Sequence, residues 1–586
     1  MVRHDSRDPL YRMPAGARPS GSVVTLRCWA DDARAVTLRM WWDDGEIRRP
    51  MTASPRGAGL FEVRLTLPEQ SGLLWYYFII DFDGETRLYG NADDRLGGVG
   101  RLYDHEPPSF QLTVYDEEYD APHWMREGLL YQIMPDRFAA RGKNAPETGW
   151  LHENWDEPPL ALFDPRNGDT HSRDFFGGDL QGIISKLDYL QSLHVTVLYL
   201  NPIFLARSNH RYDTGDYTRI DPMLGTQADL TRLCEEAAKR GMRVLLDGVF
   251  NHTGDDSLYF NRYGRYDSVG AYQSPDSPYA GWFTFERFPD KYKCWWGVDT
   301  LPEVNKDNED YRRFILAEDG VARRWMRAGT AGWRLDVADE LPMHFLRDLR
   351  TAVRTQDAQA ALLGEVWEDA SNKVSYGAQR CYCLGDTLDS VMNYPLREAA
   401  IGFVTGTLDA YAFCRRVESL RENYPLPFFY SLMNLMGSHD RARLLNVLAG
   451  EAWEQVDPLE RGGCRLSDAQ RALAIRRLAE MWKLYAALPG MPSVYYGDEA
   501  GMEGAADPFC RFPYPWGHED AQVMAITREA LALRASRPIL RRGALQLHPV
   551  DRDTVRIRRF AYAGCDVFGE PLDDAEFEIN VHAIHA

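Results

Sequence analysis

Three things are scarce in this chain, and each scarcity removes a class of protein. No stretch offers about twenty uncharged apolar residues, the length a membrane-crossing helix requires. The opening Met1-Val2-Arg3-His4-Asp5-Ser6-Arg7 has no apolar run of the kind a secretory leader carries. Basic excess is missing as well: 67 Lys and Arg stand against 87 Asp and Glu, a formal net charge of −20, whereas nucleic acid and anionic membranes need a basic face. Cysteine is sparse, with nine in 586 residues, an odd number without metal-ligand spacing. Cys381-Tyr382-Cys383 is too tight for a zinc knuckle or a redox pair, and scattered thiols fit a reducing compartment. The expectation is a soluble cytoplasmic protein with a neutral ligand and neither nucleic acid nor membrane as partner.

What is present is enough for several cores: 45% of the residues are hydrophobic and 26% charged. Residues 1–120 alternate short apolar runs (23–29, 35–42, 60–67, 73–82, 110–114) with turn signals such as Asp43-Asp44-Gly45 and Asp83-Gly84, the spacing of an N-terminal β-sandwich. From Gly128 onward, strand-like runs alternate with helical periodicity, as over 180–193, 228–240, 311–328 and 341–354. Eight strand candidates (129–134, 195–201, 243–250, 331–337, 361–367, 387–393, 429–436, 492–496) predict an α/β (β/α)₈ TIM barrel over 121–537. A stretch rich in Tyr, Trp, Gly, Pro and Asp, 251–304, reads as a subdomain inserted after the third strand. The runs at 545–547, 555–562 and 577–583 indicate a short C-terminal β domain over 538–586.

The polar residues at the strand ends are the candidates for chemistry, because the carboxyl ends of all barrel strands converge on one face. In Gly332-Trp333-Arg334-Leu335-Asp336, Arg334 and Asp336 are two apart and share a face. Burying that carboxylate requires a cation, and Arg334 is placed to supply one. Strand three ends in Asp247-Gly248-Val249-Phe250-Asn251-His252, strand five in Gly364-Glu365-Val366-Trp367 and strand seven in Gly437-Ser438-His439-Asp440. Any one of these alone has a structural reading as a satisfied polar position. Their agreement across four strand ends favours a site.

These motifs, in this order and spacing over residues 125–515, resemble the α-amylase family, glycoside hydrolase family 13. Within it they resemble the cyclomaltodextrinase, neopullulanase and maltogenic amylase group, to which the leading sandwich and Val337-Ala338-Asp339-Glu340 also point. The resemblance makes Asp336 the nucleophile, Glu365 the general acid/base and Asp440 the transition-state stabiliser of a retaining glycosidase. It implies that His252, His439 and Tyr212 hold the glucose before the cut and that Asp507 and Arg511 contact glucose further along; Arg334, Glu340 and Trp367 are counted with them as substrate-binding candidates. Trp295, Trp296 and Trp367 have both a stacking reading, at the subsites after the cut, and a packing reading, while Asp247 braces Arg334. Arg334 is expected to keep Asp336 ionised, and burial among negative charges to raise Glu365.

Two departures from the family pattern bear on cofactors and on the tail. Glu340 stands where many members carry a calcium-ligating His, and the run after Asp136-Arg137-Phe138 is thin in Asn and Asp. The expectation is that catalysis needs no cofactor, with Asn144, Gly177 and Asp179 the candidate oxygen ligands for a structural calcium. Residues 565–586 do not follow the usual closing domain. The implied activity is hydrolysis of α-1,4-glucosidic, with some α-1,6, bonds in malto-oligosaccharides, cyclodextrins, pullulan or starch. The alternatives are an α-glucan transglycosylase and a catalytically inactive carbohydrate-binding relative. The resemblance implies a homodimer formed through the N-terminal domain, with Trp41, Trp42, Trp75, Tyr76 and Tyr77 as the expected aromatic surface; core packing and carbohydrate stacking are the other readings of these rings.

Overall fold

The computed structural model describes residues 1–142, 144–160, 172–450, 453 and 461–586. Its centre is one sheet of eight parallel strands: β1 (Leu130–Ile133), β2 (Val197–Leu200), β3 (Arg243–Gly248), β4 (Gly332–Leu335), β5 (Ala361–Gly364), β6 (Ser390–Val391), β7 (Met433–Leu435) and β8 (Met491–Tyr495). They pair in the order β6-β5-β4-β3-β2-β1-β8-β7. A single parallel bridge, Met392 to Met433, joins the two ends and nearly closes the barrel. Parallel strands covered on both faces read as unbroken apolar runs, and the residues of β1, β2, β4 and β5 are all buried. Gly332 enters β4 at φ +142°, where an added Cβ would lie 2.0 Å from the Ala361 carbonyl oxygen. The β4–β5 register therefore excludes any side chain there.

The helices follow the predicted positions with two divisions. The periodicity over 180–193 forms Leu180–Ser185 and Leu187–Ser192, and that over 311–328 forms Glu309–Leu316 and Val321–Arg327, parted at Gly320. The expected strand at 429–436 is corrected at its start: Leu426–Phe429 is a helical turn, with Pro427 in its first turn, and β7 begins only at Met433. Residues 251–304 form an irregular cover over the barrel mouth, with one short hairpin, Phe285–Arg287 against Lys291–Tyr292.

The N-terminal strands form two mainly antiparallel sheets around a core that includes Val24, Leu26, Leu38, Tyr76, Phe78 and Phe110. Residues 74, 76, 78 and 80 alternate into that core. Tyr76 is consequently buried and hydrogen-bonded to His4, and Tyr77 on the other face is buried beneath the Arg39 guanidinium, 4.9 Å from its ring. This corrects the expected aromatic surface: of the five rings, Trp41 is the exposed one. The sandwich is tied to its own barrel through Glu422, which pairs with Arg7 at 2.8 Å and Arg12 at 3.1 Å. The chain ends in a three-stranded antiparallel sheet, Ala544–Pro549, Thr554–Phe560 and Glu576–His582. No helix among the described residues is long and apolar enough to cross a membrane.

Candidate active site

Arg334 is fully buried at the end of β4 and is the hub of the barrel mouth. Its Nη1 donates to both oxygens of Asp247 (2.9 and 3.1 Å) and to Asp336 Oδ1 (3.0 Å). Nη2 lies 2.8 Å from Glu365 Oε2. Three carboxylates from three adjacent strand ends thus share one cation. Burial, with Glu365 and Asp247 adding to it, pushes the Asp336 carboxyl well above the usual carboxylate range despite Arg334. Arg334 opposes that rise without cancelling it. Asp247 is also raised by burial. Glu365 accepts the Val337 N–H at 2.9 Å and the Trp367 indole N–H at 3.1 Å. Val337 is a β-branched residue at φ 40° and ψ 58°, a left-handed conformation its side chain disfavours. The strained turn aims its N–H at Glu365.

The second half of the site is a chain of hydrogen bonds with a fixed direction. Gln132 at β1 donates to His439 Nδ1 (2.8 Å), so the imidazole proton sits on Nε2. Nε2 faces the Tyr212 hydroxyl at 2.7 Å and Asp440 Oδ1 at 3.1 Å. Tyr212 in turn donates to Asp247 Oδ2 at 2.8 Å, beside the Tyr199 hydroxyl at 2.6 Å. Burial holds His439 well below its usual range and raises Asp440. The Tyr212 and His439 rings stack with centroids 5.3 Å apart. His252, pushed down to about 3 by burial, presents a buried Nε2 without a hydrogen-bond partner. Trp295 stacks beside it at 5.6 Å.

All of the predicted polar residues converge here. Asp336, Glu365, Asp440, Tyr212, His252, His439, Asp507, Arg511, Glu340 and Trp367 line one cleft of about 770 Å³, with Arg334 in its floor. Arg511 pairs with Asp507 at 2.8 Å and approaches Asp440 at 3.7 Å. Trp367 lies flat on Tyr394 at 4.3 Å. The candidate calcium ligands all have hydrogen-bond partners within the protein. Asp179 accepts the N–H groups of Arg141, Gly142 and Gly182, the Gly177 N–H donates to Asp136, and the Asn144 amide donates to the Pro222 carbonyl. No cluster of three acidic, His or Cys side chains that could hold a metal occurs among the described residues.

Sequence reasoning missed several participants. Gln132 and Asn201 are polar groups at the ends of β1 and β2 that hold His439 and Tyr212, and the strand-end rule applied to all eight strands would have found them. Lys306, buried, bridges Asn251 and Glu303 at 2.7 Å each and so fastens the cover to β3. Tyr376, which no motif marked, bonds Glu340.

A barrel whose mouth gathers carboxylates on one arginine, above a cleft walled by tyrosine and tryptophan, has the architecture of a carbohydrate-active barrel enzyme. The family model for the alpha amylase catalytic domain matches residues 132–532. The chain belongs to the α-amylase family of glycoside hydrolases. An amylopullulanase of Thermoanaerobacterium saccharolyticum is 38% identical over 98% of this chain and 48% of its own length. Neopullulanase 2 of Thermoactinomyces vulgaris is 34% identical over 74% of this chain and 67% of its own. Among solved structures, the type III pullulan hydrolase from Thermococcus kodakarensis has a TM-score of 0.67 at 27% identity, covering 100% of this chain and 99% of that one. The chain spans less than half the length of the three amylopullulanases it matches (48, 41 and 33%).

Proposed function

We propose that this chain is a retaining hydrolase of α-1,4-glucosidic bonds, with α-1,6 cleavage as a second capacity, acting on malto-oligosaccharides, cyclodextrins or pullulan. The observation that carries this is the seating of Asp336 and Glu365 on the two terminal nitrogens of one guanidinium. That closeness suits a nucleophile and an acid about 5–5.5 Å apart rather than the wider gap that admits a water between them. Asp336 attacks the anomeric carbon, and Glu365 protonates the leaving oxygen and then activates the water that releases the sugar. Asp440, held by His439 and Arg511, steadies the oxocarbenium-like ring, and the unpartnered His252 nitrogen meets a sugar hydroxyl.

Three carboxylates around one arginine leave negative charge uncompensated, so the cluster retains a proton. In the free site burial and the neighbouring carboxylates raise the Asp336 carboxyl, and catalysis needs a proton on Glu365. The relatives named for amylopullulanase, neopullulanase and cyclomaltodextrinase support the substrate class.

None of the nine cysteines forms a disulfide, which supports the cytoplasmic reading. A homodimer through the sandwich rests on Trp41 and the partly buried Trp42 and Trp75. A digestion panel of maltotriose, β-cyclodextrin, pullulan and starch, scored by product length, tests the function. Hydrolysis products no larger than the substrate are expected. Products longer than the substrate in excess of glucose and maltose would overturn hydrolysis in favour of transfer.

A further inference from the structure

Two polar side chains of the sandwich are buried away from its own core. Gln111 and Thr113 stand two apart on the strand Phe110–Tyr115 and share a face, while Phe110, Leu112 and Val114 point into the sandwich. Both are buried, at 6% and 0% exposure. Buried polar groups need partners, and these find them in the barrel. Thr113 donates to the Asn423 carbonyl at 2.7 Å. The Gln111 amide donates to Ser371 Oγ at 3.2 Å and accepts from the Asn372 amide at 2.8 Å.

Ser371 and Asn372 belong to the segment that leaves the end of β5 with Glu365. From Glu365 to Lys373 that segment has neither helix nor strand, so its contacts fix its path. Gln111 holds it from the sandwich side, and the Ala370 N–H donates to the Tyr424 hydroxyl at 2.7 Å. Trp367 lies between Glu365 and these anchors, flat on Tyr394 and with the Arg441 guanidinium 4.4 Å from its ring.

The Trp367 indole is where this segment reaches the chemistry. Glu365 Oε2 accepts the Val337 N–H and lies 2.8 Å from Arg334 Nη2, so the proton of the acid belongs on Oε1. That oxygen accepts the indole N–H at 3.1 Å. With one lone pair of Oε1 taken, the other is left for the proton. The indole thus sets the direction in which Glu365 delivers it, and proton delivery depends on that geometry.

We propose that the sandwich positions the acid of its own barrel: Gln111 anchors the segment after β5, and Trp367, carried on that segment, orients the Glu365 carboxyl toward the leaving oxygen. Both are positioning residues. This rests on the function proposed above.

The test compares 4-nitrophenyl and 4-methylphenyl α-maltosides on the full chain. Their leaving groups are alike in size, but the 4-methylphenyl oxygen depends far more on receiving a proton. Loss of a stacking surface lowers both substrates alike, whereas a misdirected acid lowers the second more. Trp367→Phe keeps a ring without the N–H, and is expected to raise the 4-nitrophenyl-to-4-methylphenyl ratio of kcat/KM about tenfold. Asn372→Ala removes the anchor from the partly exposed side of the Gln111 bond, leaving the sandwich intact, and is expected to raise the ratio about threefold. The double variant should match Trp367→Phe alone, because the anchor acts through the indole. An unchanged ratio in Trp367→Phe overturns the role of the indole. An unchanged ratio in Asn372→Ala, or a double variant in which the two effects multiply, overturns the anchor. A wild-type chain that cleaves neither maltoside nor maltotriose overturns the functional reading itself.

Discussion

Asp336→Asn is expected to abolish turnover and, at neutral pH, to make the protein more stable. Arg334 is the cation that Asp247, Asp336 and Glu365 share, and all four side chains are at most 9% exposed. Burial outweighs the arginine at Asp336 and raises its carboxyl well above the usual range, so the ionised form costs stability in the folded state. The amide preserves volume and an acceptor for Nη1, and Arg334 keeps its other two partners. Neutral replacement of strained buried charge gains about 1–4 kcal/mol, and with the hub intact the lower part, about 1–2 kcal/mol, applies. That corresponds to a rise of about 1–2 °C in Tm for a chain of this size. The sign follows from linkage. A carboxyl raised in the folded state contributes stability below its unfolded value of about 3.9 and loses it as pH rises through the folded value. The advantage of the amide should therefore be present at pH 7 and vanish near pH 4. Calorimetry of both proteins at these two pH values checks it. An amide variant that melts several degrees lower than wild type at pH 7 would show that pairing with Arg334 outweighs burial, and would refute the reasoning.

The same raised carboxyl sets the acid limb of activity. Asp336 must be ionised to attack, so kcat/KM should fall with decreasing pH already above about 4, and a limb at or below the ordinary Asp value would contradict this. Glu365→Gln should lose nearly all turnover of oligosaccharides yet retain most of the first step on an α-glucosyl fluoride, whose leaving group needs no proton; equal loss on both, followed by fluoride release, would count against Glu365 as the acid. Glu422→Ala leaves the fully buried Arg12 without its carboxylate, a loss of about 3 kcal/mol. The sandwich should then become protease-sensitive below the melting temperature of the barrel, and unchanged proteolysis would argue against that tie. Sedimentation of the full chain at micromolar concentration reads the proposed dimer directly, and a monomer would remove it.

The barrel was legible because its strands are covered on both faces, so Val197 to Leu200 and Ala361 to Gly364 appear as apolar runs ending in polar residues at the mouth. The strand at β6 was legible only as a region, since two residues, Ser390 and Val391, carry no periodicity. Local spacing brought Arg334 and Asp336 together, but it held nothing about depth, and depth is what raises the Asp336 carboxyl. Tyr76 and Tyr77 looked alike in sequence. Strand alternation sends one into the core, and a guanidinium from the neighbouring strand covers the other. The Gln132–His439–Tyr212–Asp247 chain joins residues up to 307 positions apart, beyond any local pattern. Glu340 drew attention as a substitution at a metal position, while its partners Trp296 and Tyr376 lie 44 and 36 residues away.

The central claim is that Asp336 forms a covalent bond to the sugar. Trapping the glycosyl-enzyme with a 5-fluoro-α-glucosyl fluoride and mapping the adduct by peptide mass spectrometry measures this. The label should fall on the peptide that contains Asp336, and be absent from Asp336→Asn. Adduct on any other carboxylate, or turnover of the fluoride with no adduct at all, would contradict the account.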